Sequence, residues 1–205
     1  MHVALITSHS QNNKAVFDLT TDNHREYCHR HSYDYIPNDE PYSPHMPTKY
    51  LLSILSGYDF IATMGVDLWI QHPEKPLEDF LRQGITLCPE FSGETLNADF
   101  VVYKNCPDTV AVLEKVSLVQ QSKKDGQQAL NQLYKDGFPG IYSEKYMQIA
   151  APVMNPCKSY KGFNIEDYFT LHFHTLGSAP YVFRKEEGLK RFFTCLKIFG
   201  LKSVR

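Results

Sequence analysis

The stretch Tyr58-Asp59-Phe60-Ile61-Ala62-Thr63-Met64-Gly65-Val66-Asp67-Leu68-Trp69-Ile70-Gln71-His72-Pro73 decides how the rest of the chain is read. Its first half, Asp59 to Met64, is a short and nearly continuous apolar run that closes on a glycine. That is the pattern of a parallel strand covered on both faces. Asp67 then stands just past the strand's carboxyl end, where open α/β sheets place their ligand sites. A carboxylate there is a hard oxygen ligand suited to Mg²⁺ or Mn²⁺ on a diphosphate. The ordinary alternative is that Asp67 caps a turn into Leu68–Ile70.

Outward from this strand, apolar and amphipathic segments alternate. Val3–Thr7 is a buried-strand run, residues 14–31 have helical character, and Tyr33–Ile36 reads as a second strand. Pro47–Ser56 is a helix with proline in its first turn and Gly57 as its stop. Downstream come a helix at Pro76–Arg82, strands at Ile85–Pro89 and Phe100–Tyr103, and helices at Asp108–Gln121 and Gln127–Lys135. Residues 138–168, rich in Pro, Gly and Tyr, read as loop, and Thr170–His174 and Tyr181–Arg184 as late strands. Strand–helix alternation without a repeat or linker predicts one α/β domain with a mostly parallel central sheet flanked by helices.

Composition narrows the class without naming it. The chain has 205 residues, 42% of them hydrophobic and 21% charged, enough for a core that folds without disulfide or metal. Its net charge of −2 argues against a protein built to coat nucleic acid. No apolar run approaches the roughly 18 residues of a membrane span. Val3–Ile6 is too short, and lacks the basic flank, for a signal peptide. Five scattered cysteines without a CxxC pair (Cys28, Cys88, Cys106, Cys157, Cys195) read as reduced thiols. A soluble cytoplasmic protein is expected.

The average charge conceals an asymmetry. Residues 185–205 hold six Lys/Arg and two Glu, a net of +4, which leaves −6 on residues 1–184. Leu189, Phe192, Phe193, Leu196 and Phe199 recur in this tail at helical spacing. We therefore divide the chain into a domain over 1–184 and a basic amphipathic helix over 185–205. That helix either packs on the domain or docks on a further domain, a partner or an anionic membrane surface.

Several site signatures are missing: there is no GxGxxG after the first strand, no GxxxxGK[ST], no GxSxG and no HExxH. These absences argue against a typical dehydrogenase, a P-loop NTPase and an α/β-hydrolase. His172 and His174 alternate on a strand-like segment and point to opposite faces, so one is a candidate ligand at the sheet end. His24, Cys28 and His31 share a helix face, and would form a zinc site only with a fourth ligand. Tyr134, Tyr142, Tyr146, Tyr160 and Tyr168 are candidate stacking platforms for sugar rings, or simply core packing.

Several segments, in order, carry a resemblance. Tyr58–Pro73 resembles the Asp-x-Asp region of glycosyltransferases with the nucleotide-diphospho-sugar (GT-A) fold. It is most similar to the galactosyl/mannosyl/xylosyltransferase family typified by fungal Golgi α-mannosyltransferases and plant xyloglucan xylosyltransferases. Asn23–Tyr35 looks like that family's N-x-R-x-Y-C-x-x-H-G-Y helix, and Pro47-Thr48-Lys49 like the stretch before the metal strand. Leu96–Asn105 is similar to N-x-G-x-F-L-I-R-N, Asp125–Leu130 to D-Q-x-A-L, and His174-x-x-Gly177 to the late H-x-x-G.

The resemblance spans residues 2–178. It implies a single GT-A domain, a nucleotide-diphosphate sugar donor with a UDP-sugar favoured, and a glycan or glycoprotein acceptor. It also implies Mn²⁺ or Mg²⁺ held by Asp67 and His174. Thr7, Ser8, Lys49, Asp67, Asn97, Gln127 and Gly177 would then contact the donor, with simple strand-end capping the alternative for Thr7 and Ser8. The first aspartate of Asp-x-Asp is Gly65 here, and the acidic position before the glutamine is Gly126, with Asp125 one residue earlier. Those two changes leave open a weakened enzyme or a sugar-nucleotide-binding protein. An inverting reaction needs a carboxylate base, for which Asp125, Asp99 and Glu90 are candidates; a retaining outcome is equally open.

Overall fold

A computed structural model describes residues 1–8, 14–38, 48–90, 95–120, 126–150, 167 and 169–172. Strand β1 (Val3–Ser8) lies inside a six-stranded sheet and is covered on both faces, as its unbroken apolar run requires. Val3 and Leu5 enter one core cluster, while Ala4 and Ile6 enter the other. Helix α1 (Lys14–His31) buries Tyr27 and Cys28 in the first cluster. Helix α2 (Thr48–Leu55) buries Leu51 and Leu55 in the second.

Strands β2 (Asp34–Asn38) and β3 (Phe60–Gly65) flank β1, both parallel to it. Pro37 is tolerated within β2 because β2 is an edge strand, where a missing N–H breaks no interior ladder. After β3 the chain forms the short β4 (Leu68–Ile70), a 3-10 turn at Leu77–Phe80 and β5 (Ile85–Pro89). Strand β6 (Leu96–Lys104), helices α3 (Pro107–Gln120) and α4 (Gly126–Lys135), and β7 (Ile141–Ser143) follow. The strand order is β2-β1-β3-β6-β5-β7. Five strands run one way; β6, antiparallel to both β3 and β5, is reversed. The sheet is therefore mixed but predominantly parallel, as expected.

Helices α2, α3 and α4 cover one face through Leu51, Leu55, Val112, Val116, Ala129 and Leu133. On the other face α1 is joined by a second sheet of order β4-β9-β8, with β8 at Gln148–Ala150 and β9 at Thr170–His172. Phe80, Phe100 and Phe169 meet where that small sheet packs on the large one, with centroids 5.0 to 6.0 Å apart. Among the described residues no helix is long and apolar enough to cross a membrane.

Three local expectations change. The helix expected at 76–82 is only a 3-10 turn, because Pro76 and Leu81 are both extended and leave four residues between them. Leu68–Ile70, for which the sequence pattern predicts no element, is a strand, and β7 and β8 lie in the segment read as loop. Strand β6 begins at Leu96 rather than Phe100. The polar Asn97-Ala98-Asp99 hid its start, and side chains of α4 supply the pairing an apolar pattern would have announced. Tyr181–Arg184 and the proposed helix over 185–205 lie outside the described residues.

At the entrance to β5 the backbone passes Gly140 so closely that a side chain has no room. Gly84 has φ +144°, and a Cβ built there would lie 2.2 Å from the Gly140 carbonyl oxygen. The Ile85 amide donates to that same carbonyl at 2.8 Å. Gly84→Ala is expected to destabilise the protein by more than about 2 kcal/mol, since neither the strand nor the loop can move without losing this bond. Urea unfolding midpoints of the two proteins check this.

Candidate active site

The parallel strands β1, β2 and β3 finish side by side: Asn38 pairs with Ser8, and Ser8 pairs with Gly65. Asp67 follows two residues later, half-buried, in the connection to β4. That connection is fastened to α1. The Thr20 hydroxyl donates to the Val66 carbonyl at 2.7 Å, and His24 Nε2 lies 2.9 Å from the Leu68 carbonyl. The Asn23 amide accepts from the Ile70 N–H at 2.9 Å and donates to its carbonyl at 3.0 Å. Thr20, Asn23 and His24 fall at i, i+3 and i+4, one face of the helix. Asp67 thus sits between backbone anchors on either side.

His24 is fully buried, and its two ring nitrogens are both engaged. A carbonyl can only accept, so Nε2 carries the proton toward Leu68, and Nδ1 accepts from the Thr7 hydroxyl at 3.1 Å. Burial holds this imidazole well down, at about 4, against a smaller opposing pull from the Leu68 carbonyl. Thr7 was expected to meet a nucleotide. Its side chain is instead completely buried and bonded to His24, because alternation along β1 turns it toward α1. Its hydroxyl helps fix the loop; Ser8 is the residue at the strand end.

The second side of the site comes from β6. Leu87 faces Val101, but Cys88 faces Asn97, so Ala98, Asp99 and Phe100 have no counterpart on β5. This bulge re-aims the strand toward β3. Met64 pairs with Phe100, and the next position on each strand is Gly65 and Asp99. Asn97 is buried, donates to Glu90 Oε1 at 3.1 Å and accepts the Asp99 N–H at 2.8 Å. From α4, Gln127 Oε1 accepts the Ala98 N–H at 3.0 Å, and Asn131 pairs with both backbone groups of Leu96. Glu90, Asn97 and Gln127 therefore form a frame around Asp99.

The two sides converge at Gly65. A Cβ placed on that glycine would lie 2.9 Å from Asp67 Oδ1 and 3.6 Å from the Asp99 Cβ. The fold thus brings Asp67, Asp99, Asn97, Glu90 and Gln127 to one end of the sheet. Lys49 is exposed in the first turn of α2, which leads directly back into β3, so it stands toward the same end. In the small sheet Leu68 pairs with His172, which brings the last described residue of β9 beside the Asp67 connection. Asp125, His174 and Gly177 lie outside the described residues.

The zinc face is not assembled. His24 is bonded to Thr7 and Leu68, His31 Nε2 lies 2.8 Å from the Pro73 carbonyl, and burial pushes the Cys28 thiol up to about 12. None is left to turn toward a common ion; helical spacing placed them on one face, but that face packs on β4 and the 3-10 turn. Among the described residues no group of three or more His, Cys, Asp or Glu is placed to hold a metal. Tyr142 is exposed on β7, the far edge strand, and Tyr134 and Tyr146 are exposed as well. Tyr160 and Tyr168 lie outside the described residues.

Sequence reasoning did not find the roles of Thr20 and Asn131 or the clamp formed by Asn23 and His24. The usable signal was a polar stripe, Thr20-Asn23-His24, on the helix face that also carries the buried Tyr27.

The sequence matches no family model and no curated protein. Solved structures do match in fold. A glycosyltransferase involved in glycosylation of the major capsid of PBCV-1 superposes with TM-score 0.64 at 12% identity, over 93% of this chain and 100% of that one. The glycosyltransferase GlyE of Streptococcus pneumoniae TIGR4 gives 0.56 at 13% identity, over 97% of this chain and 63% of GlyE. The galactosyltransferase LgtC, solved in complex with donor and acceptor sugar analogs, gives 0.55 at 12% identity, over 98% and 97% of the two chains. The chain shares the mixed α/β fold of these GT-A-type glycosyltransferases.

Proposed function

We propose that the protein is a metal-dependent glycosyltransferase that moves a sugar from a nucleotide-diphosphate sugar, a UDP-sugar in the first instance, to a glycan or glycoprotein acceptor. The observation that carries this reading is Asp67, clamped by α1 at the end of β3 beside β9, in a fold shared with solved glycosyltransferases. The similarity to the fungal α-mannosyltransferase-like family supports the same reading through the segments that surround Asp67.

The chemistry of the Asp67 carboxylate suits a hard divalent ion. Asp67 offers a carboxylate oxygen, a hard ligand, 2.9 Å from where a Gly65 Cβ would stand. Asp67 would hold Mn²⁺ or Mg²⁺, together with His174 from the segment that follows β9. When bound, the ion acts as a Lewis acid that offsets the charge developing on the leaving diphosphate.

The chain's own groups do the rest. The anchors from Thr20, Asn23 and His24 fix the Asp67 connection before the donor arrives, so little reorganisation accompanies reaction. Lys49 adds a positive charge toward the diphosphate. Ser8, Asn97, Gln127 and Gly177 border the donor in this reading. Asp99, Glu90 and Asp125 remain the carboxylates available to take a proton from an acceptor hydroxyl. Glu90 already accepts a hydrogen bond from Asn97, which favours a holding role for it.

A thermal-shift panel of UDP-, GDP- and dTDP-sugars, with and without Mn²⁺, tests the proposal. At least one nucleotide should stabilise the protein only when metal is present; no metal-dependent shift with any of them would overturn the reading. A second reading, a sugar-nucleotide-binding protein without turnover, is favoured by the glycines at positions 65 and 126. Mn²⁺-dependent donor hydrolysis separates the two, since binding without turnover would support the second.

A further inference from the structure

Strand β6 loses its neighbour on β3 just where it enters the candidate site. The two strands pair from Phe60–Lys104 to Met64–Phe100, and the ladder stops there. Past Gly65 the chain turns off through Asp67 into β4. A buried strand deprived of its partner has backbone groups that must be satisfied elsewhere. Helix α4 satisfies them here, and it does so with side chains.

Asn131 Oδ1 accepts the Leu96 N–H at 2.5 Å, and its Nδ2 donates to the Leu96 carbonyl at 2.8 Å. That is the two-bond exchange by which one strand residue pairs with another. The same Nδ2 donates to the Gln127 carbonyl at 2.9 Å, so the amide is tied to its own helix as well as to the strand. Gln127 Oε1 in turn accepts the Ala98 N–H at 3.0 Å. Residues four apart on the helix thus meet residues two apart on the strand. Asn97 lies between the two attachments, buried, with its side chain bonded to Glu90 and to the Asp99 N–H. The bulge between Leu87 and Cys88 makes these attachments matter, because residues 98 and 99 pair with neither β3 nor β5.

We propose that Asn131 is a positioning residue for sugar transfer: standing in for a missing strand partner, it sets where Asn97 and Asp99 lie at the end of the sheet. The inference rests on the glycosyltransferase reading above and adds a residue to which that reading gives no part. An amide is the side chain this task needs. A carboxylate would offer the Leu96 carbonyl no proton, and alanine would serve neither backbone group. Displacing a reacting constellation by about 1 Å costs up to about 10²-fold in rate, so a clamp outside the chemistry can still govern it.

Amide hydrogen exchange and the kinetics of Mn²⁺-dependent donor hydrolysis, both on the whole chain, test this. Asn131→Ala should speed exchange at the Leu96 amide about tenfold or more. It should lower kcat by a similar factor while the KM for the donor changes little. Asn131→Asp keeps the acceptor for the Leu96 N–H but loses both donors; it is the milder variant and should lower kcat in the same direction. Leu133→Ala removes a buried contact of the same helix yet breaks none of these bonds, and its kcat should stay close to wild type. Faster exchange at Leu96 with an unchanged kcat, or an equal loss of kcat in Leu133→Ala, would overturn the positioning role and leave the glycosyltransferase reading intact. Unchanged exchange at Leu96 in Asn131→Ala would overturn the clamp itself. Wild-type protein that hydrolyses no UDP-, GDP- or dTDP-sugar would overturn the reading as a transferase and this proposal with it.

Discussion

Asp67→Asn is expected to abolish the Mn²⁺-dependent stabilisation by UDP and to lower sugar transfer on the order of 10²-fold or more, with little change in the stability of the protein alone. The substitution keeps the side chain's size and removes its charge, so a hard cation loses an anionic ligand while the local packing is retained. Loss of a single preorganised group facing developing charge commonly costs a rate factor of about 10²–10³. The connection itself is held through the Val66 and Leu68 carbonyls, by Thr20 and His24, and those bonds survive the change. Bound UDP at about 100 times its dissociation constant contributes about 2.7 kcal/mol, roughly 5–10 °C for a domain of this length. A melting scan with and without UDP and Mn²⁺ reads that shift directly. An unchanged shift in Asp67→Asn would remove Asp67 from the metal site.

His24→Ala carries the largest expected effect on stability, about 3–5 kcal/mol. It empties a fully buried volume and removes the His24 partner of both the Leu68 carbonyl and the Thr7 hydroxyl, the latter keeping its bond to Tyr35. The same residue sets a pH dependence. Burial holds folded His24 at about 4, whereas an exposed imidazole titrates near 6.5. Between those values the unfolded chain binds the proton and the folded one does not, so stability rises with pH across that window. The contribution is fully present above about pH 6.5. It declines as the pH falls toward 4, by about 3 kcal/mol in all. His24→Leu removes the titration while filling most of the space. Urea unfolding of wild type and His24→Leu at pH 7 and pH 5 should therefore show a steeper acid loss in wild type. Equal losses would show that His24 is not held neutral.

The fold was legible where a segment's own pattern reports its burial. Val3–Thr7 and Phe60–Met64 are apolar throughout because they become β1 and β3, each covered on two faces. Helix α4 was legible because Ala129, Leu130 and Leu133 repeat at helical spacing. The pattern failed at Leu68–Ile70 and in residues 138–168, where strands of three residues are too short to show a period. It failed also at Leu96–Asp99, where the backbone is paired by Gln127 and Asn131 rather than by apolar packing.

For the site, the sequence by itself determined that a carboxylate at 67 follows an apolar strand, and that glycine occupies position 65. Only the tertiary structure decided what surrounds them. The Val66 carbonyl meets a hydroxyl 46 residues away, and Gly65 meets Asp99 through a ladder whose register a bulge in β6 resets. Local spacing encodes which face of an element is buried, because that depends on the period of a single helix or strand. Which distant residues then face one another depends on which strands pair and in what register, and the packing of the whole core fixes both.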